Sequence, residues 1–154
     1  MSGNFRYRSN NRQRNMIILI CAVIGLAGLY YSFVLHESTG STADQWTFYE
    51  DEIEITSITW EPTSVKWQDG SDVSGLTLSS SYNADTDVVT VTVHGYLFSA
   101  NSVNDTIVLS DGSSNSTTSA FSLIVNENDT GLWILIVSAG ALLVSVYMFL
   151  GRRR

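Results

Sequence analysis

MIILICAVIGLAGLYYSFVL, residues 16–35, runs for twenty positions without a charged side chain. A second such run, LWILIVSAGALLVSVYMFL, fills residues 132–150. At 1.5 Å of rise per helical residue the two reach about 30 Å and about 28 Å, close to the thickness of a bilayer's hydrocarbon core. Backbone amides in lipid must be satisfied within their own segment, so each run is expected to be a transmembrane helix. Two buried core helices of a soluble protein are the plain alternative, but a chain of 154 residues has little else with which to cover them.

The charges divide at the same boundaries. All fifteen Asp and Glu lie between the runs, from Glu37 to Asp129. All seven Arg lie outside: Arg6, Arg8, Arg12 and Arg14 before the first run, and Arg152, Arg153 and Arg154 after the second. Arginine-rich flanks stay in the cytoplasm. The expectation is therefore a two-pass protein of the cell membrane, with both termini cytoplasmic and residues 36–131 extracellular. Tyr30, Tyr31, Trp133 and Tyr147 fall near the ends of the runs, where amphipathic rings settle in the interface. A cleaved signal peptide is the competing reading of the first run. Its apolar stretch is longer than the usual signal core, and Gly25-Leu26-Ala27 makes a poor cleavage site. A lipoprotein reading of Cys21 fails on the bulk of Ile20 before it.

The intervening segment sets fifteen acids against one base, Lys66, for a formal charge of −14. Such a charge favours solubility and repels nucleic acid. Scarce lysine and plentiful Asp, Ser and Thr also suit a salt-rich medium. Cys21 is the single cysteine, so the exported segment has no intramolecular disulfide and must rely on an ordinary core. That points away from a small eukaryotic secreted module and toward a prokaryote.

Within the chain, residues 1–15 read as an unstructured basic tail, 36–44 as a short flexible stalk, 45–131 as a β domain and 151–154 as a second basic tail. The domain shows period-two alternation, the mark of half-buried strands. In residues 52–60, Ile53 and Ile55 alternate with Glu52, Glu54 and Thr56, and Glu61-Pro62 ends the run because proline cannot donate to a ladder. Residues 65–68 form a short piece, followed by a turn at Asp69-Gly70. Residues 73–82 put Leu76 and Leu78 on one face. Residues 88–98 are the clearest strand, with Val89, Val91 and Val93 alternating with Thr90, Thr92 and His94. Residues 106–109 follow, then an Asp111-Gly112 turn. Residues 117–125 direct Phe121, Leu123 and Val125 inward. Six to seven such strands predict an antiparallel β-sandwich of the Ig-like type.

Few residues are placed for chemistry. His36 falls in the stalk and His94 on a polar strand face, so neither has a partner in sequence. There is no exported thiol, no histidine cluster with zinc spacing and no Gly-x-Ser-x-Gly elbow. The blue-copper set lacks its cysteine. No catalytic residue and no cofactor are expected. Asn83, Asp85 and Asp87 match the first three ligands of a calcium loop, but Val88 stands where glycine must turn it and no glutamate completes it. Asn and Asp are also ordinary turn residues.

Three sequons occur, at Asn104, Asn115 and Asn128. The first two sit at expected turns, and the third lies close to the second span. The spans themselves carry small-residue stripes: Cys21, Gly25, Gly28 and Ser32 on the first, Ser138, Ala141 and Ser145 on the second. Small residues let helix backbones approach closely in lipid, where packing drives association. The function expected is non-catalytic: an accessory or scaffolding subunit, packed against other membrane subunits or a copy of itself. The alternative is a surface receptor or adhesion module. For it, Trp46, Phe48 and Tyr49, with Trp60 and Trp67, would form the binding surface.

Overall fold

The computed structural model describes residues 4–69, 75–99 and 101–151. Residues 152–154 of the basic tail, Gly70 of the expected turn, and Val73 at the start of an expected strand lie outside them. Helix α1 spans Asn4–Tyr30 and passes into a π-helical turn at Tyr31–Leu35. Helix α2 spans Thr130–Leu150. Both are long and apolar enough to cross a membrane. From Asn4 on, the expected unstructured tail is instead the first turns of α1. The segment from Asn4 to Asn15 holds no Gly or Pro, and extending an existing helix avoids the cost of nucleating one.

The helices form one compact unit, and His36–Asp129 forms a second. The second is mostly β, built from two four-stranded sheets. The first sheet is ordered β1-β3-β6-β5, with β1 Glu37–Ser38, β3 Thr47–Thr56, β6 Val88–Leu97 and β5 Leu76–Asn83. The second is β2-β8-β7-β4, with β2 Thr42–Asp44, β8 Ser116–Asn126, β7 Val103–Ser110 and β4 Ser64–Trp67.

Three expectations change. Both sheets are mixed rather than antiparallel, because β1 pairs parallel with β3 and β2 pairs parallel with β8. Among the described residues the strands number eight, not six to seven. The supposed stalk supplies the two extra ones, turning at Gly40 (φ 83°) so that each half caps the edge of a different sheet. Short edge strands of this kind cover ladder groups that would otherwise stay open to pairing.

The core alternation follows from β-branched residues on a pleated strand. Val89, Val91 and Val93 are fully buried on β6, facing Ile107, Leu109, Phe121 and Leu123 of the other sheet within one cluster. Trp67 joins the sheets: it is buried, and its Nε1 donates to the Leu76 carbonyl at 3.2 Å. Strand β3 starts at Thr47, earlier than the alternation suggested, and stops at Thr56. Ser57 then takes φ 67°, and Ile58 returns to the core. The two ends of the unit are tied together. Gln45 N donates to the Asn126 carbonyl at 3.2 Å, Asn126 Nδ2 donates to Asp44 at 3.4 Å, and the Gln45 side chain donates to Asp129.

Candidate functional site

In the helix pair, the stripes on the two helices face each other. Gly25 is buried, and a Cβ there would meet the Ser138 carbonyl at 2.9 Å and the Leu142 side chain. A Cβ on Gly28 would overlap Ser138 Oγ. The backbones therefore approach as closely as glycine allows. Ser145 Oγ donates across the pair to the Ile18 carbonyl at 3.1 Å. Ser138 Oγ donates to Ile134 of its own helix at 2.6 Å, the back-bonding by which a helix satisfies a buried serine. Ser32 is buried in the π-turn, and its Oγ has no hydrogen-bond partner among the described residues. Cys21 and Ala141 are half-buried, and the Cys21 thiol is free. An open cleft of about 510 Å³ lies at the end of the pair, lined by Arg14, Tyr147, Met148, Leu150 and Gly151. Arg14 donates there to Asn11 at 3.4 Å.

In the β unit, the expected ion ligands are engaged in a turn. Asn83 Oδ1 accepts from Asp85 N at 3.0 Å, and Asp87 accepts from the Tyr82 hydroxyl at 3.0 Å while holding φ 50°. Among the described residues no group of three His, Cys, Asp or Glu side chains is placed to hold a metal ion. His94 Nε2 lies 3.1 Å from Thr77 Oγ1 on the neighbouring strand. Asp111 organises the turn before β8: it accepts from Ser113 N at 2.8 Å and from Asn115 Nδ2 at 2.7 Å. The backbone hydrogen bond from Ser113 leads those that hold its carboxyl below the usual range.

Of the sequon asparagines, Asn115 is exposed in that turn, and Asn128 is exposed with Nδ2 3.1 Å from Asp44. Asn104 is a correction: it lies within strand β7, opposite Ser122, rather than in a turn. Val103 is buried and pulls the polar residues after it into the ladder, where Asn104 keeps its exposure on the outer face.

The five aromatics expected at a binding surface separate. Trp67 and Tyr49 belong to the core, and Trp60 packs against its edge. The Tyr49 hydroxyl donates to the Gly40 carbonyl at 2.8 Å, and burial raises its pKa well above the ordinary 10.0. Trp46 and Phe48 are half-buried outside that core, joined by half-buried Tyr96 and exposed Phe98, two residues that sequence reading missed. Trp46 meets Phe98 edge-on at 5.4 Å, Phe98 stacks on Tyr96 at 5.7 Å, and Tyr96 meets Phe48 edge-on at 5.5 Å. The signal was present in the alternation of β6 carried one residue past its end: Tyr96 and Phe98 continue the series of Thr90, Thr92 and His94, opposite to the buried valines. Trp46 holds φ 59°, a conformation costing roughly 1 kcal/mol for a residue with a Cβ, and its N–H donates to the Leu97 carbonyl at 2.5 Å.

The chain matches no protein-family model and no curated protein.

Proposed function

We propose that this chain is a non-catalytic two-span membrane protein, with both termini cytoplasmic and residues 36–131 outside the cell, acting as an accessory or scaffolding subunit of a membrane assembly. One observation carries the reading: only 11% of each candidate span is buried. A core helix of a soluble protein would be mostly covered. Large side chains such as Leu19, Leu26, Trp133 and Leu143 point outward, and lipid is the surrounding that suits them. The small-residue seam is filled by the chain's own second helix, so contacts with other subunits, or with a second copy, fall to these outward faces.

The strand order supports an Ig-like arrangement for the outer domain. With β1 as A and β3, β6 and β5 as B, E and D, the first sheet reads A-B-E-D, and β4, β7 and β8 read C-F-G. Trp67 is then the buried tryptophan of strand C. The parallel β1 and the lack of an inter-sheet disulfide depart from that plan. Asn104 and Asn115, both exposed, are the favoured glycan acceptors.

Purification in mild detergent followed by mass spectrometry tests the function. A stoichiometric set of integral membrane subunits is the expected result. Recovery of the chain alone, at monomer mass, would overturn the accessory reading. That outcome would favour a receptor or adhesion module, for which the surface aromatic row is the supporting observation.

A further inference from the structure

We infer that the row Trp46, Phe48, Tyr96 and Phe98 seats the β unit in the headgroup layer of zwitterionic phospholipid at the outer membrane surface. The inference rests on the two-span reading. Its first support is covalent. Leu35 ends the first span, and His36 is the next residue. Whatever the angle between the two units, the His36 carbonyl lies within one residue of the apolar run, and it accepts a hydrogen bond from Phe48 N at 3.2 Å. The headgroup regions of a bilayer add roughly 5–8 Å on each side of the hydrocarbon core. Phe48 begins inside that layer, and the other three rings follow in ring-to-ring contact.

The second support is the order of side chains along the outer face of the first sheet. Starting from the end bonded to His36, β3 presents Phe48 and then Glu50, Glu52 and Glu54. The facing residues on β6 run Tyr96, His94, Thr92 and Thr90 in step. Successive outward residues on one strand are about 7 Å apart, so this face passes from aromatic to acidic within one outward step of the end bonded to His36. Trp and Tyr favour that interface, with an apolar body and a polar tip. A binding platform for a soluble ligand has no need of this gradient. The charge of the segment selects the lipid: a domain with fifteen acids and one base is repelled by an anionic surface.

The four tryptophans of the full chain make the test. In phosphatidylcholine nanodiscs carrying a nitroxide on the headgroup, each emission is isolated by difference from its Trp→Phe variant. Trp133, 63% exposed on the first turns of α2, reports whether that span lies in lipid. Trp60 lies beyond the far end of β3 and serves as the unquenched reference. We expect Trp46 and Trp133 to lose most of their emission and Trp60 to keep it. Phe98→Ser, at a position 58% exposed and so tolerant of change, should restore part of the Trp46 signal. Quenching of Trp133 without Trp46 would overturn the seating and leave the row to a protein or soluble ligand. Quenching of neither would overturn the two-span reading and the seating with it.

Discussion

The helix pair and the β unit sort their side chains in opposite ways. In the helices the large apolar residues face outward and serines lie inside: Ser32, Ser138 and Ser145 are three of the four buried polar residues described. In the β unit the valines, leucines and Trp67 of the core are inside, and among the described residues only Phe98 and Ile124 stand out as exposed large apolar groups. The difference shows what holds each region together. The β unit gains from removing apolar area from water. The helix pair buries little, and is held by backbones close enough for Gly28 to touch Ser138 and for Ser145 to bond across to Ile18. Damage should therefore follow opposite rules in the two regions.

The sharpest break of that contrast is a charge in the valine row. Val91 has no exposed surface, so Val91→Asp buries an unpaired carboxylate at a cost comparable to the about 5 kcal/mol that holds a small domain folded. The β unit should become protease-sensitive in the full chain, while Thr92→Asp on the opposite face should leave it resistant. Equal resistance of both variants would show the faces to be misassigned.

A bulky apolar residue, harmless on the surface of a sheet, should break the helix pair. Gly28→Leu forces the backbones apart, and we expect cross-linking between cysteines placed at Ile18 and Ser145, in a Cys21→Ala background, to fall about tenfold. The β unit should keep its protease resistance. Unchanged cross-linking would mean that the seam tolerates bulk and that close approach is not what pairs the helices.

A smaller effect sharpens the account of the core. Tyr49→Phe removes the hydroxyl's bond to Gly40 and should cost about 1 kcal/mol at neutral pH. Its pH dependence has a definite sign. Tyr49 is held neutral in the folded state by burial first and by the Asp51 charge next. The stability this brings is complete below the ordinary tyrosine pKa of 10.0 and is lost as pH rises beyond it. Tyr82 and Tyr96 shift in the same direction. The comparison is therefore between wild type and Tyr49→Phe, and the variant's melting temperature should fall less steeply above pH 10.0.

The least effect belongs to the exposed turn. Asp111→Ala should lower the melting temperature slightly at neutral pH. The difference from wild type should vanish in acid, because a depressed carboxyl pKa stabilises only above the unfolded value of 3.8 and loses that stability as pH falls through the folded one. A difference that persists unchanged below that range would assign the turn's stability to something other than the carboxylate.

The parts legible in the sequence are those where side chains carry the information. Val89, Val91 and Val93 alternate because they are the buried face of β6, and Phe121, Leu123 and Val125 mark β8 in the same way. The strands β1 and β2 were not legible. Glu37–Ser38 and Thr42–Asp44 join sheet edges mainly through backbone bonds, and of their side chains only Ala43 is buried. The small-residue stripes could be read from spacing, but nothing in the spacing told that the two would face each other rather than a partner. The aromatic row was half visible. Trp46 and Phe48 are close in the chain, but their contacts with Tyr96 and Phe98 depend on the β3–β6 register, which is a long-range property.

The bonds that tie Asp44 and Gln45 to Asn126 and Asp129 bear on the helices as well. Seen from the helix pair, the β unit is the loop that connects its two members. Unfolded, that loop is about ninety residues long, and closing it costs roughly 2–3 kcal/mol more in chain entropy than closing one of about five. Folded, with its ends bonded side by side, it acts as a short loop and raises the effective concentration of each helix beside the other. Two regions built on opposite rules thus share one equilibrium: denaturing the β unit should loosen the helix hairpin even though no residue of the hairpin has changed.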